Sequence, residues 1–171
     1  MRRIRYQVAA SLDGFIAGPK GEYDWILMDP EIDFQELFGG FDTMLVGRKS
    51  FEVINRQGGA GMYGMKVLVF SRKLKQKDHP GVTIVARDIK KTLTALKKAK
   101  GKDIWLFGGG ELFRSLLALG LVDSVEVAVI PVLLGGGIPL LPPPADRAKL
   151  KLTGHKVYAK TGTVLLEYAV K

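Results

Sequence analysis

Glycine, arginine, lysine and serine gather at three points of the chain in a pattern suited to an anionic ligand. Ile104-Trp105-Leu106-Phe107 is a short apolar run that reads as a buried strand, and it passes through Gly108-Gly109-Gly110 into Glu111-Leu112, the start of a helical pattern. Glycines at such a turn let the backbone approach a phosphate with no Cβ in the way, and the helix start offers N–H groups and the positive end of its dipole. A tight turn needs one or two glycines, so three exceed what packing alone asks. Thr43-Met44-Leu45-Val46-Gly47-Arg48-Lys49-Ser50-Phe51 repeats the form and adds two cations and a hydroxyl. Cations at a helix N-terminus oppose its dipole, so folding does not select Arg48 and Lys49, whereas an incoming anion would. Phe70-Ser71-Arg72 closes a third strand. Ligands of open α/β sheets bind beyond the carboxyl ends of strands. Together these strand ends suit a ligand with several phosphates, such as NADPH.

Competing motifs are weaker. Gly59-Ala60-Gly61-Met62-Tyr63-Gly64 spells GxGxxG, but a helix precedes it and a strand follows, the reverse of the dinucleotide fingerprint, so it reads as a flexible loop. Gly47-Arg48-Lys49-Ser50 resembles the end of a nucleoside-triphosphate loop, yet no glycine directly precedes Lys49 and the earlier glycine of that motif is missing. The chain has no Cys, and His79 and His155 stand far apart with no companion at ligand spacing, which argues against zinc and iron–sulfur sites.

The elements that must hold these residues follow from periodicity. Ile4, Tyr6, Val8 and Ala10 alternate with Arg5, Gln7 and Ala9, a half-buried strand ending at the turn pair Asp13-Gly14. Asp29-Pro30 reads as a cap and first helical position, and Phe34, Leu37, Phe38 and Phe41 continue a helix over about 30–38. Further strands are expected at 43–46, 66–70, 82–86, 103–107 and 124–130. Helices are expected at 47–54, from an Asp88 cap to about Lys100, and at 111–119. Two alternating segments, Leu150–Tyr158 and Gly162–Val170, read as a terminal antiparallel hairpin. The expected class is α/β: three layers around a mainly parallel sheet, in one domain spanning 1–171.

The chain has 171 residues, 47% hydrophobic and 25% charged, which fits a single globular domain and excludes a disordered chain. Met1-Arg2-Arg3-Ile4-Arg5 runs straight into a strand pattern with no apolar leader behind it, so a cytoplasmic protein is expected. Val127 to Ala145 carries no charge, but Gly135-Gly136-Gly137 and five prolines would break a spanning helix, so no membrane segment is expected. Through Gly61 there are seven basic and nine acidic residues; from Met62 onward there are nineteen and eight. Much of that excess, Lys90, Lys91, Lys97, Lys98, Lys100 and Lys102, reads as the solvated face of one amphipathic helix; no aromatic-interleaved basic ribbon points to nucleic acid, and a polyanionic small ligand is the other reading.

Four segments in order, Val8-Ala9-Ala10-Ser11-Leu12-Asp13-Gly14-Phe15-Ile16-Ala17, Val46-Gly47-Arg48-Lys49-Ser50-Phe51, Phe70-Ser71-Arg72 and Phe107-Gly108-Gly109-Gly110-Glu111-Leu112, resemble the dihydrofolate reductase superfamily over nearly the whole chain. Ser11-Leu12-Asp13-Gly14, Trp25-Ile26 and Pro131-Val132-Leu133-Leu134-Gly135-Gly136-Gly137 are more similar to its riboflavin-biosynthesis reductase branch and stand-alone relatives. The resemblance implies NADPH-dependent hydride transfer to a pyrimidine or pteridine. The reaction would be of the 5-amino-6-(5-phosphoribosylamino)uracil reductase type, with dihydrofolate reduction or a nucleotide-binding module without catalysis as alternatives. By position it implies a pyrophosphate cradle at Gly108, Gly109, Gly110, Glu111 and Leu112 with a cis bond at Gly108-Gly109. Arg48, Ser71 and Arg72 would meet the 2′-phosphate, Gly47, Lys49 and Ser50 the other side of the pyrophosphate, and Ala9 and Ile16 the nicotinamide.

Asp13 and Trp25 stand near the implied substrate, although an Asx turn and a core role suit them too. A proton donor on the first helix falls among Glu31, Asp33 and Glu36, with no single choice forced; Asp33 adjoins the apolar side and could face the cleft, although a solvated first-turn acid favoured by the dipole suits it too. The uncharged stretch around Leu133–Leu141 is expected to be a pocket wall or the edge of a homodimer.

Overall fold

A computed structural model describes residues 1–59 and 64–171, so the core of the Gly59–Gly64 run lies outside the described residues. The elements follow in the order β1 (Ile4–Ser11), β2 (Phe15–Ala17), α1 (Phe34–Gly39), β3 (Phe41–Gly47), α2 (Arg48–Arg56), β4 (Lys66–Phe70), β5 (Thr83–Val85) and α3 (Ile89–Lys98). Then come β6 (Asp103–Gly108), α4 (Gly110–Ala118), β7 (Ser124–Ile130), β8 (Ile138–Pro139), β9 (Leu150–Tyr158) and β10 (Thr163–Val170). Eight strands form one sheet in the order β5-β4-β3-β6-β1-β7-β10-β9, parallel from β5 to β7 and antiparallel from β7 to β9. The expected three-layer architecture and terminal hairpin are therefore present.

Period-two alternation places one core on each face. Ile4 and Tyr6 of β1, Leu45 of β3, and Ile104 and Leu106 of β6 pack with Leu93 of α3 and Leu112, Phe113 and Leu116 of α4. Met44, Val46, Val67, Val69 and Trp105 face the other way, toward Phe51 and Ile54 of α2 and Phe38 of α1. Side chains that alternate along β3 thus serve opposite layers.

Three local expectations are corrected. The first helix begins at Phe34, not near Pro30, and Asp33 rather than Asp29 is its cap, accepting hydrogen bonds from Gln35 N–H and Glu36 N–H through Oδ1. Asp29 is buried and instead receives Thr161 N–H, the Thr161 hydroxyl and Glu31 N–H, so it fastens the segment before α1 to the β9–β10 turn. Burial pushes its carboxyl upward, but these donors outweigh that and leave it below the ordinary range. Lys97 is not solvated: its ammonium is buried against Asp123 Oδ2 at 2.6 Å. The uncharged Val127–Ala145 stretch is β7, a loop, and the short β8; among the described residues no helix is long and apolar enough to cross a membrane.

Sequence periodicity did not reveal the small second sheet, in which β2 pairs antiparallel with β8. Asp13, just before β2, ties the end of β1 to the loop that leads into β8. Its carboxylate accepts Leu134 N–H at 3.1 Å, Gly135 N–H at 2.7 Å and the Ser11 hydroxyl at 2.6 Å. The Ser11 hydroxyl, helped by the two backbone donors, holds the Asp13 carboxyl below its ordinary range. Asp13→Ala is expected to loosen the 132–137 loop. Amide exchange at Leu134 and Gly135 should rise by about tenfold or more while the sheet core stays protected.

Candidate active-site cleft

The order β4-β3-β6 brings the carboxyl ends of three strands side by side, and each runs into a loop or helix carrying the residues singled out above. A cleft of about 1610 Å³ opens there, larger than the ~300–1,000 Å³ that a compact small-molecule ligand needs. Gly47, Arg48, Lys49, Ser50, Ser71, Arg72, Gly109, Gly110, Glu111 and Leu112 all line it. They stem from sequence positions up to 65 residues apart (Gly47 to Leu112), so only the strand order could unite them.

Among the described residues three helices begin on this cleft, and none is closed by a side chain. The N-cap residues Gly47 of α2, Asp88 of α3 and Gly109 of α4 make no side-chain cap hydrogen bond. The first N–H groups of a helix have no intrahelical partner, so these starts are open to an anion. By contrast, α1 starts away from the cleft and is capped by Asp33. Asp88, expected as a cap, occupies the cap position but adopts left-handed backbone, φ 52°, with its carboxylate unused there.

Around these starts the cleft gathers Arg48, Lys49, Arg72, Lys73, Arg87, Lys90, Lys91 and Lys98 against Asp88 and Glu111. Lys90, Lys91 and Lys98, read from sequence as a solvated helix face or as the contact of a polyanion, belong to its wall. Arg87 and Lys73 were not singled out; their one sequence signal was a position just past a strand end. Arg48 donates through Nη1 to Glu52 Oε1 at 2.7 Å. Ser71 Oγ accepts Lys73 N–H and Leu74 N–H at 3.1 and 3.0 Å, which leaves its single hydrogen available to a ligand.

The three glycines have separate reasons. Gly108 has φ 117°, a region closed to most side chains, and its peptide bond to Gly109 is cis. A Cβ on Gly109 would meet only the Ser50 hydroxyl, at 3.4 Å, so this position faces the cleft from across α2. A Cβ on Gly110 would lie 2.8 Å from the Pro139 carbonyl oxygen and from Pro142 Cδ. Packing therefore explains Gly110 and not the whole run. Gly110→Ala is expected to destabilise the fold by about 1–3 kcal/mol, because the backbone of β8 must retreat, and a lowered Tm would show it.

That contact also identifies the far wall: Gly137, Ile138, Pro139 and Pro142 line the cleft, which fulfils the pocket-wall reading of the uncharged stretch. Ala9 and Ile16 are not lining residues; Ala9 is half-buried on β1 and Ile16 lies on β2, which pairs with the β8 wall. Asp13, Trp25 and Asp33 also stand outside this cleft. Trp25 is half-buried and donates its indole N–H to the Glu22 carbonyl at 3.0 Å.

The chain matches the RibD C-terminal domain family over residues 2–164. It is 35% identical over 179 aligned positions to the uncharacterized protein YyaP of Bacillus subtilis (strain 168), covering 98% of this chain and 94% of that one. Among solved structures, a Shewanella sp. PV-4 protein named for riboflavin biosynthesis superposes with a TM-score of 0.84 at 24% identity, over 99% of both chains. The dihydrofolate reductase of Enterococcus faecalis, complexed with NADP(H) and RAB-propyl, gives 0.71 at 18% identity, over 99% of this chain and 96% of that one. The fold is dihydrofolate reductase-like.

Proposed function

The chain belongs to the RibD C-terminal domain family, and from that premise we propose that it is an NADPH-dependent reductase of the 5-amino-6-(5-phosphoribosylamino)uracil reductase type, acting on a pyrimidine or pteridine. The observation that carries this reading is the convergence of three uncapped helix starts and eight Lys or Arg residues on one cleft. That donor set fits an extended polyanion, and the absence of a side chain at Gly109, where a Cβ would stand 3.4 Å from the Ser50 hydroxyl, fits a phosphate brought close to the main chain. NADPH would supply the hydride. Arg48, Ser71 and Arg72 would hold its 2′-phosphate, since an arginine fork and a hydroxyl match a dianion that NADH lacks. Gly47, Lys49, Ser50 and Gly108 through Leu112 would hold the pyrophosphate between the starts of α2 and α4. Ala9 and Ile16 would contact the nicotinamide at the β1–β2 end, with Asp13 and Trp25 toward the substrate.

Asp33 is the carboxylate proposed to pass a proton to substrate. Its Oδ1 serves the α1 cap, and its Oδ2 takes no part in it. Because Asp13 and Asp33 both make structural hydrogen bonds, a second reading is a nucleotide-binding module without catalysis. Titration with NADPH and NADH, followed by assay of cofactor oxidation with the ribosylamino-pyrimidine and with dihydrofolate, separates these. Micromolar NADPH binding with turnover of the pyrimidine supports the proposal, binding without turnover leaves the module, and no binding sinks both. A homodimer is part of the proposal: Leu12 and Leu133, 66% and 70% exposed, flank the Asp13 tie and would be covered by a second copy.

A further inference from the structure

Tyr6 lies in the middle of β1 with 0% exposure, and its ring stacks on Phe113 of α4 at 3.9 Å between centroids and 15° between planes. Those contacts need only a phenyl ring. The hydroxyl is the one buried side-chain polar atom among the described residues without a hydrogen-bond partner. Burial raises the phenol above its ordinary range, so it is a neutral donor. A buried hydroxyl with no partner costs stability that phenylalanine would not incur, so the fold of the free protein gives no reason for the oxygen. Its location does. A Cβ built on Gly108 would sit 3.5 Å from Tyr6 Cε2 and 3.9 Å from Oη, so the ring ends directly beneath the glycine turn. The residues that follow, Gly109 to Leu112, line the cleft.

Resting on the reading of this cleft as a phosphate cradle, we propose that Tyr6 is a positioning residue. Its hydroxyl gains its missing hydrogen bond when a pyrophosphate seats on the turn, either from the Gly108 main chain or from a water enclosed beneath it. Binding and the buried bond are then linked, and part of the cofactor's affinity comes from satisfying an oxygen that the free protein leaves unpaired.

Tyr6→Phe tests this, since it deletes one oxygen and keeps the ring stack. The expected result is an unchanged or raised Tm of the free protein, together with NADPH and NADH dissociation constants both weakened by about 3- to 10-fold, because the pyrophosphate is common to the two. A slowly exchanging hydroxyl proton, absent from the variant, should also appear in the wild type on adding NADPH. Unchanged dissociation constants overturn the proposal, as does a lowered Tm, which would mean the hydroxyl is already bonded in the free protein. Wild-type protein that binds neither cofactor would sink the cradle reading with it, whereas normal wild-type binding with an indifferent Tyr6→Phe sinks this proposal alone.

Discussion

Arg48→Ala is expected to weaken NADPH binding by about 10- to 100-fold and to change NADH binding by less than about twofold, because charge-assisted hydrogen bonds to the 2′-phosphate are worth roughly 1.5–3 kcal/mol. The fold should hardly notice. Arg48 opens α2 as its first residue, where a cation opposes the helix dipole. Its partner Glu52 lies four residues toward the C-terminus, the weaker of the two orientations for such a pair, and both side chains are about a third exposed. Removing the guanidinium therefore leaves Tm nearly unchanged, which separates a binding defect from an unfolding one. Titrations with both cofactors at low and moderate ionic strength read the effect, which should shrink with added salt. Equal losses for NADPH and NADH would refute the assignment of the 2′-phosphate to Arg48.

Glu126→Leu is expected to cost about 3 kcal/mol of stability by urea denaturation. Glu126 is 5% exposed and sits on β7 opposite Gln7 of β1. Arg5 grips both carboxylate oxygens at 2.7 Å, Gln7 donates at 2.6 Å, and the Ser124 hydroxyl at 2.9 Å. Truncating the acid leaves the Arg5 guanidinium half-buried over the Phe41 ring and the Gln7 amide without its acceptor. The loss falls at the low end of the range for broken buried pairs because Asp103 still lies 3.7 Å from Arg5. The double variant Arg5→Met/Glu126→Leu should recover much of it, since no charge is then stranded.

The same pair predicts acid sensitivity. Burial pushes the Glu126 carboxyl upward, but Arg5 and Gln7 outweigh burial and leave it below the ordinary 4.5. A carboxyl whose folded pKa is depressed contributes stability above its unfolded pKa and loses it as pH falls through the folded one. Wild-type stability should therefore decline below about pH 4.5, and in Glu126→Leu that part of the decline should vanish.

What was legible in the sequence were features decided by neighbours in the chain. The residues at the ends of β3 and β6 could be placed at strand-to-helix junctions, and Ser71 and Arg72 just past the end of β4, because short apolar runs stop there and glycine, polar residues or helical spacing take over. The terminal hairpin was equally plain, with its turn at Lys160–Gly162. The start of α1 was less so: Asp29-Pro30 carries the N-terminal signal, yet Asp29 is taken up by Thr161, 132 residues away, and Asp33 caps the helix. Arg5 and Gln7 alternate with apolar neighbours exactly as solvent-facing residues would, and nothing local marks them as the partners of Glu126.

The order of residues along the chain by itself determined which short segments would be strands, which turns would expose main-chain amides, and that cations stood where helix dipoles do not want them. Only the tertiary structure decided that β6 inserts between β3 and β1, so that the Gly47 and Gly109 turns share one cleft with Ser71 and Arg72. It likewise decided that Pro139 closes on Gly110, that Lys90 and Lys91 face the cleft, and that Tyr6 leaves its hydroxyl unpaired beneath Gly108. The reason is that hydrogen bonding and backbone preference act over a few residues, whereas strand order and wall contacts are set by how two apolar faces are buried at once across the whole sheet.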